Sequence, residues 1–269
     1  MLDLTLQPVC MFAHGWAYSL DFFNPLLLDL NKEHPTLMQQ FKTLGLEQGY
    51  FERPAGVYEW TGSHWAKAPE TPEMLIKTGS TAMGIGHSLG FAKLLELPCT
   101  WASLVGLHGF TRFTAQERGQ TGTPRRLVER MLNRLSTNPE TVLQDFWMRA
   151  EELNASAGNE YQSAQAEKFT RSAHVDKLRA DLQSMLDMDL TSHLKLNFTA
   201  TGREFPNKQF VALYSQHDQI VSPDLTAQTF PAQCMQEAIA PHSGPLVSPK
   251  VYTPHLIKVL SQALGPRNL

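Results

Sequence analysis

The sequence predicts an α/β fold: a mostly parallel central sheet flanked by helices, with an inserted helical cap, or lid. Three observations lead there. Short apolar runs recur without polar alternation, the pattern of strands buried on both faces. Segments of helical spacing lie between them. The stretch from about 114 to 196 offers no convincing strand. The expected organisation is a core of residues 1–113 and 197–269, with residues 114–196 inserted as the cap.

The elements follow in order. Val9-Cys10-Met11-Phe12-Ala13 is short, apolar and followed by His14-Gly15, so it reads as a buried strand running into a loop. Gly49-Tyr50-Phe51, followed by Pro54, is a shorter strand candidate. Residues 81–86 form another, leading into the helical spacing of 91–97, which Pro98 stops. Residues 101–107 and 210–214 complete the strands, and 256–264 reads as a terminal helix ended by Gly265-Pro266. Within the cap, Thr123-Pro124 and Asn138-Pro139 both look like an N-cap followed by a first helical residue. Asn154 to Asn159 is the expected linker.

Composition excludes several classes. Hydrophobic residues make up 42% and charged residues 18%, which sets the 269-residue chain apart from disordered chains. The net charge of −3 speaks against a dedicated nucleic-acid binder. Cys10, Cys99 and Cys234 are too few and too scattered for a disulfide framework, and they suit reduced thiols in the cytoplasm. The first eight residues carry an acid and no base, unlike a signal peptide. No run approaches the roughly 20 apolar residues of a membrane span. No metal-ligand spacing and no nucleotide-binding glycine motif is found, so no metal and no cofactor is expected.

The strongest motif is Gly86-His87-Ser88-Leu89-Gly90, between a short apolar strand and an amphipathic helix. A G-x-S-x-G sequence in that setting fits a nucleophile elbow, because a sharp strand-to-helix turn exposes the serine and needs small flanking residues. A serine needs a base, and the base needs an orienting acid. Asp218 lies a few residues beyond the 210–214 strand, at the sheet end where open α/β folds place their sites; a solvated loop aspartate is the plain alternative. His242 lies on a Pro/Gly-rich loop before the last helix and completes the order Ser, Asp, His. Among its competitors, His217 adjoins the acid, His255 reads as the start of the last helix, and His87 is expected to point elsewhere. The expected oxyanion donors are the backbone N–H groups of Trp16, after His14-Gly15, and of Leu89.

The cap carries a concealed charge. Residues 112–134 hold six arginines (112, 118, 125, 126, 130 and 134) against Glu117 and Glu129. Arg126, Arg130 and Arg134 share one helical row, with Leu127, Val128, Met131, Leu132 and Leu135 on the other side. Such a row is either an ordinary solvated face or a docking surface for an anionic partner. The next helix offers Phe146 and Trp147 as candidates to line an acyl pocket, with Arg149 beside them; core packing is the alternative for the aromatic pair.

Together, His14-Gly15-Trp16, the Ser88 elbow, Asp218-x-Ile220-Val221-x-Pro223 and the His242 loop resemble the α/β-hydrolase superfamily over nearly the whole chain. Within it, the chain most resembles the pimeloyl-acyl-carrier-protein methyl ester esterases of biotin synthesis. The pointers are the His-Gly-Trp turn, the Gly-x-Ser-Leu-Gly elbow, the arginine-rich cap with an aromatic pair near Phe146, and Pro249 seven residues after His242. The sequence departs from that family at His87, where Trp is usual, and at Phe91, where a further Gly is usual. The resemblance implies a serine carboxylesterase acting on the methyl ester of a pimeloyl chain. It further implies an acyl carrier protein as partner, met by Arg126, Arg130, Arg134 and Arg149. A general small-acyl carboxylesterase or thioesterase would use the same triad, and a ligand-binding protein could keep the fold without turnover.

Overall fold

The computed structural model describes residues 7–69, 82–98, 101–115, 119–151, 172–199 and 209–264. Eight strands form one sheet in the order β4-β3-β2-β1-β5-β6-β7-β8. They are β1 (Val9–Ala13), β2 (Lys42–Glu47), β3 (Gly56–Trp60), β4 (Trp65–Lys67), β5 (Ala82–His87), β6 (Ser103–Leu107), β7 (Gln209–Tyr214) and β8 (Met235–Glu237). From β2 to β8 every pairing is parallel, and the β3–β4 hairpin adds an antiparallel edge. The mostly parallel sheet that the apolar runs predict is therefore present.

Four strands escaped the sequence reading. In β2 the Lys42, Thr43, Gly45 and Glu47 positions interrupt the apolar signal, although Leu44 and Glu47 are both buried. The hairpin β3–β4 and the three-residue β8 are short edge elements. The strand expected at Gly49–Phe51 is instead a loop: Gly49 adopts φ 78°, which extended backbone does not. Its Tyr50 and Phe51 are buried by packing, without being in a strand. The terminal helix runs over Pro249–Leu264, starting earlier than the expected 256 and continuing through Pro254.

Register positions the site. Ala13 stands opposite Gly86, His87 opposite Leu107, and Leu107 opposite Leu213. The carboxyl ends of β1, β5, β6 and β7 are thus level, and the residues that follow them meet above one edge of the sheet. The helix after β5, Leu89–Glu96, buries Leu89, Phe91, Ala92, Leu94 and Leu95. Between β6 and β7 the described residues form the helices Arg125–Thr137, Pro139–Glu151, Val175–Asp187 and Thr191–Thr199, and no strand. Pro124 is the N-cap of the first, one residue later than Thr123. Asn138 does precede the second, and its Oδ1 accepts the Thr141 N–H at 3.3 Å. The expected linker at 154–159, Cys99, Glu117, Arg118 and the Gly265-Pro266 stop lie outside the described residues. Among the described residues no helix is long and apolar enough to cross a membrane.

Two glycines let the elbow helix close on the sheet. A Cβ on Gly86 would lie 2.3 Å from Phe91 Cα, and one on Gly90 would lie 2.0 Å from the Ala13 carbonyl oxygen. Both obstacles are backbone and cannot rotate away. Gly90→Ala is therefore expected to destabilise the protein by about 1–3 kcal/mol or more. Thermal unfolding should show a fall of roughly 5 °C or more; an unchanged melting temperature would contradict this packing.

Candidate active site

Ser88 ends β5 on a turn with φ 54° and ψ −125°, and its N–H donates to the Leu107 carbonyl at 3.0 Å. Positive φ is uncommon away from glycine and signals stored strain. Among the described residues the non-glycine cases are Ala17, Ser88 and His108, all beyond the carboxyl ends of adjacent strands. Gly15 leans on the turn closely enough that an added Cβ would lie 2.9 Å from Ser88 Cβ.

Asp218 is the centre of the site. Its Oδ1 accepts the N–H groups of Ile220 at 2.8 Å and Val221 at 2.9 Å. Its Oδ2 faces Nδ1 of His242 at 2.9 Å and Nδ1 of His108 at 2.8 Å. Burial alone would raise the carboxyl's pKa, but the two imidazoles outweigh it and hold the group far below the usual carboxylate range. His242 is fully buried, and its Nε2 has no hydrogen-bond partner among the described residues. An acceptor lone pair left free beside an oriented imidazole is what a general base requires.

The structure thus brings Asp218 and His242 together as the sequence suggests, with Ser88 on the neighbouring loop. His217 is exposed, and His255 lies inside the last helix, with Nδ1 on Gln236 Oε1 at 2.8 Å. The expectation for His87 needs correction. Its ring is turned into the site and lies 4.7 Å from the His242 ring. Its Nε2–H donates to the His242 carbonyl at 2.8 Å. Burial, with His242 and His108 nearby, pushes its pKa well below the ordinary value, so it is neutral. His87 therefore ties the Ser88 turn to the loop that carries His242.

Two residues here were not foreseen. His108 follows β6 directly, and Tyr252 hydroxyl meets its Nε2 from the last helix. One signal was available: Leu107-His108-Gly109 repeats the strand-then-His-Gly pattern of Ala13-His14-Gly15.

Of the expected oxyanion donors, Leu89 follows Ser88 directly and Trp16 follows Gly15, which packs on the Ser88 turn. No partner for the N–H of Trp16 or Leu89 is found among the described residues. The Trp16 loop is anchored from below. His14 Nε2 lies 3.0 Å from Glu47 Oε1, and Glu47 also accepts the N–H groups of Leu20 at 3.1 Å and Gly49 at 3.0 Å. Arg53 reaches the same carboxylate at 3.4 Å and Asp21 at 3.1 Å. From above, the Trp16 indole donates to the Leu178 carbonyl at 2.9 Å.

A cavity of about 110 Å³ opens at Ser88. Trp16, Phe110, Phe146, Met185 and Ile220 supply apolar wall, and Arg134, Asp145 and Arg149 supply charge. Phe146 packs edge-on against Trp16 at 5.0 Å. Trp147 does not line this cavity. Its indole donates to the Ala17 carbonyl at 3.0 Å, fastening the 139–151 helix to the loop after β1. The arginines divide. Arg112 pairs with Asp189 at 3.7 Å, Arg125 with Glu129 at 3.0 Å and Asp187 at 2.6 Å, and Arg134 with Asp145 at 3.1 Å. Arg126, Arg130 and Arg149 are exposed, with no ion pair among the described residues. The charge excess of the 112–134 segment is thus partly offset by acids from elsewhere.

His108, Asp218 and His242 also form the one grouping among the described residues whose ligand atoms, all within 4.8 Å of one another, could hold a metal ion. Their mutual hydrogen bonds already account for those distances.

No family model matches the sequence, and no curated protein matches it. Solved structures do. An esterase from Exiguobacterium antarcticum is 11% identical with a TM-score of 0.65, covering 94% of this chain and 92% of that one. An enol-lactonase from Burkholderia xenovorans LB400 is 14% identical with a TM-score of 0.62, covering 94% and 91%. MenH from S. aureus is 12% identical with a TM-score of 0.59, covering 98% and 97%. The chain has the α/β-hydrolase fold.

The anchor beneath the Trp16 loop has a pH signature. Burial would raise the Glu47 pKa, but His14 and the Leu20 and Gly49 amides overcome this and lower it to about 2. A carboxyl with a depressed folded pKa adds stability above its unfolded value, and that stability is lost as pH falls through the folded one. The wild-type protein should therefore lose on the order of 3 kcal/mol between about pH 4.5 and about pH 2 through this group. Glu47→Gln should flatten that part of the curve in denaturant titrations; an unchanged acid limb would contradict the assignment.

Proposed function

We propose that the chain is a serine carboxylic-ester hydrolase. The observation that carries this reading is His242: fully buried, held through Nδ1 on Asp218, with Nε2 unpartnered among the described residues, and with its carbonyl bonded to His87, the neighbour of the strained Ser88. In this reading Ser88 Oγ attacks the ester carbonyl carbon as His242 Nε2 takes its proton. The carbonyl π electrons move to oxygen, where the Trp16 and Leu89 N–H groups receive the charge. Collapse expels the alcohol, which takes the proton from His242. Water, deprotonated in turn by His242, then releases the acid and restores Ser88.

The finer proposal is the methyl ester of a pimeloyl chain on an acyl carrier protein. Three features support it: the motif resemblance, a largely apolar cavity at Ser88, and the exposed Arg134 and Arg149 among its lining. Arg126 and Arg130 extend the positive surface outward along the same helix. They would meet an acidic carrier by long-range attraction, which salt screens.

Ser88→Ala should lower turnover of a p-nitrophenyl ester by at least about a thousandfold and abolish labelling by a fluorophosphonate. A folded wild-type protein that neither turns over esters nor takes the label would instead favour a ligand-binding role. The carrier proposal has its own test. Charge reversal at Arg126 and Arg130, which have no acid partner among the described residues, should raise KM for a carrier-bound ester roughly tenfold or more and leave small esters unaffected. Equal effects on both would remove the docking role.

A further inference from the structure

Asp218 Oδ2 receives two imidazoles, and the reaction above uses one. His242 approaches it from the loop before the last helix, and His108 from the end of β6. The second is built with unusual care. His108 is 1% exposed and holds φ 52°, a conformation that strains a non-glycine residue and persists only where its surroundings fix it. What fixes it is visible on both nitrogens. Nδ1 faces the Asp218 carboxylate, which can only accept, so Nδ1 carries the proton. Nε2 is then the acceptor for the Tyr252 hydroxyl. Burial also favours the neutral ring, pushing the His108 pKa down against the pull of Asp218. Tyr252 is itself fully buried, and Gly244, two residues past His242, leaves the room its hydroxyl occupies.

We propose that His108 is a positioning residue of the active site, holding Asp218 Oδ2 in place through Nδ1–H while His242 moves the proton. This rests on the serine-hydrolase reading. During turnover the His242 ring must exchange its Nε2 contact between Ser88, leaving group and water. A carboxylate anchored only through Oδ1 could follow that ring or rotate. With Oδ1 on the Ile220 and Val221 amides and Oδ2 on His108, three donors remain when the His242 bond weakens. Tyr252 completes the device by keeping the His108 proton on Nδ1. Among the described residues, His87 and Tyr18 also face the pair, and neither is hydrogen-bonded to Asp218.

The test compares two substitutions that both tolerate positive φ, so that backbone strain is not the variable. His108→Asn keeps a donor where Nδ1 stands, since its amide nitrogen is equally far along the side chain. His108→Gly removes the donor. With a p-nitrophenyl ester, His108→Gly should lower kcat by about tenfold or more with KM within about twofold, as loss of a hydrogen bond to a charged group implies. His108→Asn should stay within about threefold of the parent. The parent should also show two far-downfield imidazole N–H proton resonances in NMR, and His108→Asn should lose one and keep the His242 signal. If His108→Gly fails to fold, Tyr252→Phe decides: it should lower kcat a few-fold and shift the His108 resonance. A parent-like rate and spectrum in Tyr252→Phe, or a parent-like kcat in folded His108→Gly, overturns the assignment. An active parent with indifferent His108 variants sinks this inference alone; a parent that turns over no ester sinks the hydrolase reading and this inference with it.

Discussion

The contact on which the site depends is the one between Gly90 and the backbone of Ala13 and His14. No side chain fits there: an added Cβ would lie 2.0 Å from the Ala13 oxygen and 2.6 Å from the His14 oxygen. The approach locks the start of the elbow helix against the end of β1. The serine turn and the loop bearing Trp16 therefore cannot drift apart. Parallel pairing then sets the ends of β6 and β7 level with them. Forcing this density of chain into one corner has a conformational cost. It shows as positive φ at Ala17, Ser88 and His108, each worth on the order of 1–3 kcal/mol. The large apolar cluster beneath, with Phe12, Phe23, Leu26, Leu27 and Leu30 buried, is what over-determines these conformations.

The second requirement is electrostatic. Taking a carboxylate out of water costs several kcal/mol unless its lone pairs are satisfied. Asp218 meets that demand with two amides and two imidazoles, leaving no part of the charge uncompensated. Glu47 solves the same problem with His14, two amides and Arg53. The two buried acids play parallel parts, one beneath the proposed base and the other beneath the proposed oxyanion loop. At Asp218 both amide donors lie two and three residues along the chain, which makes the local turn and the charged site a single structure; Glu47 takes one amide from nearby Gly49 and the other from Leu20, 27 residues away.

What was legible follows from the kind of signal involved. The elbow could be read because its chemistry is local: strand, glycine, serine, glycine and helix occupy consecutive positions. Asp218 and His242 were legible through their chain order, and β1, β5, β6 and β7 through their unbroken apolar runs. The β2 strand was hidden because its buried polar residues, Thr43 and Glu47, serve packing and the His14 network while defeating a hydrophobic count. His87 was misjudged because a tight turn looked too constrained to aim a side chain back at the base. His108 and Tyr252 are 144 residues apart, and only the pairing of β5, β6 and β7 brings His108 to Asp218. The His-Gly step after β6 was the one available signal for His108, and it does not point to Tyr252 or Asp218.

The helix Arg125–Thr137 shows why net charge is a poor guide to a surface. Its first turn contains Arg125 and Arg126 and no acid. Cations at a helix N-terminus oppose the helix dipole, and like charges four apart repel, each by a few tenths of a kcal/mol or more. Asp187 and Glu129 relieve Arg125, and Asp145 relieves Arg134. Arg126 and Arg130 stand on the same row without such relief among the described residues. Helix stability alone would favour acids in that first turn. Their presence is therefore unfavourable for the isolated element, and that weighs toward a role met from outside it. The arginines paired with Asp187, Glu129 and Asp145 brace the cap, and the proposed docking surface rests on Arg126 and Arg130, which have no ion pair among the described residues.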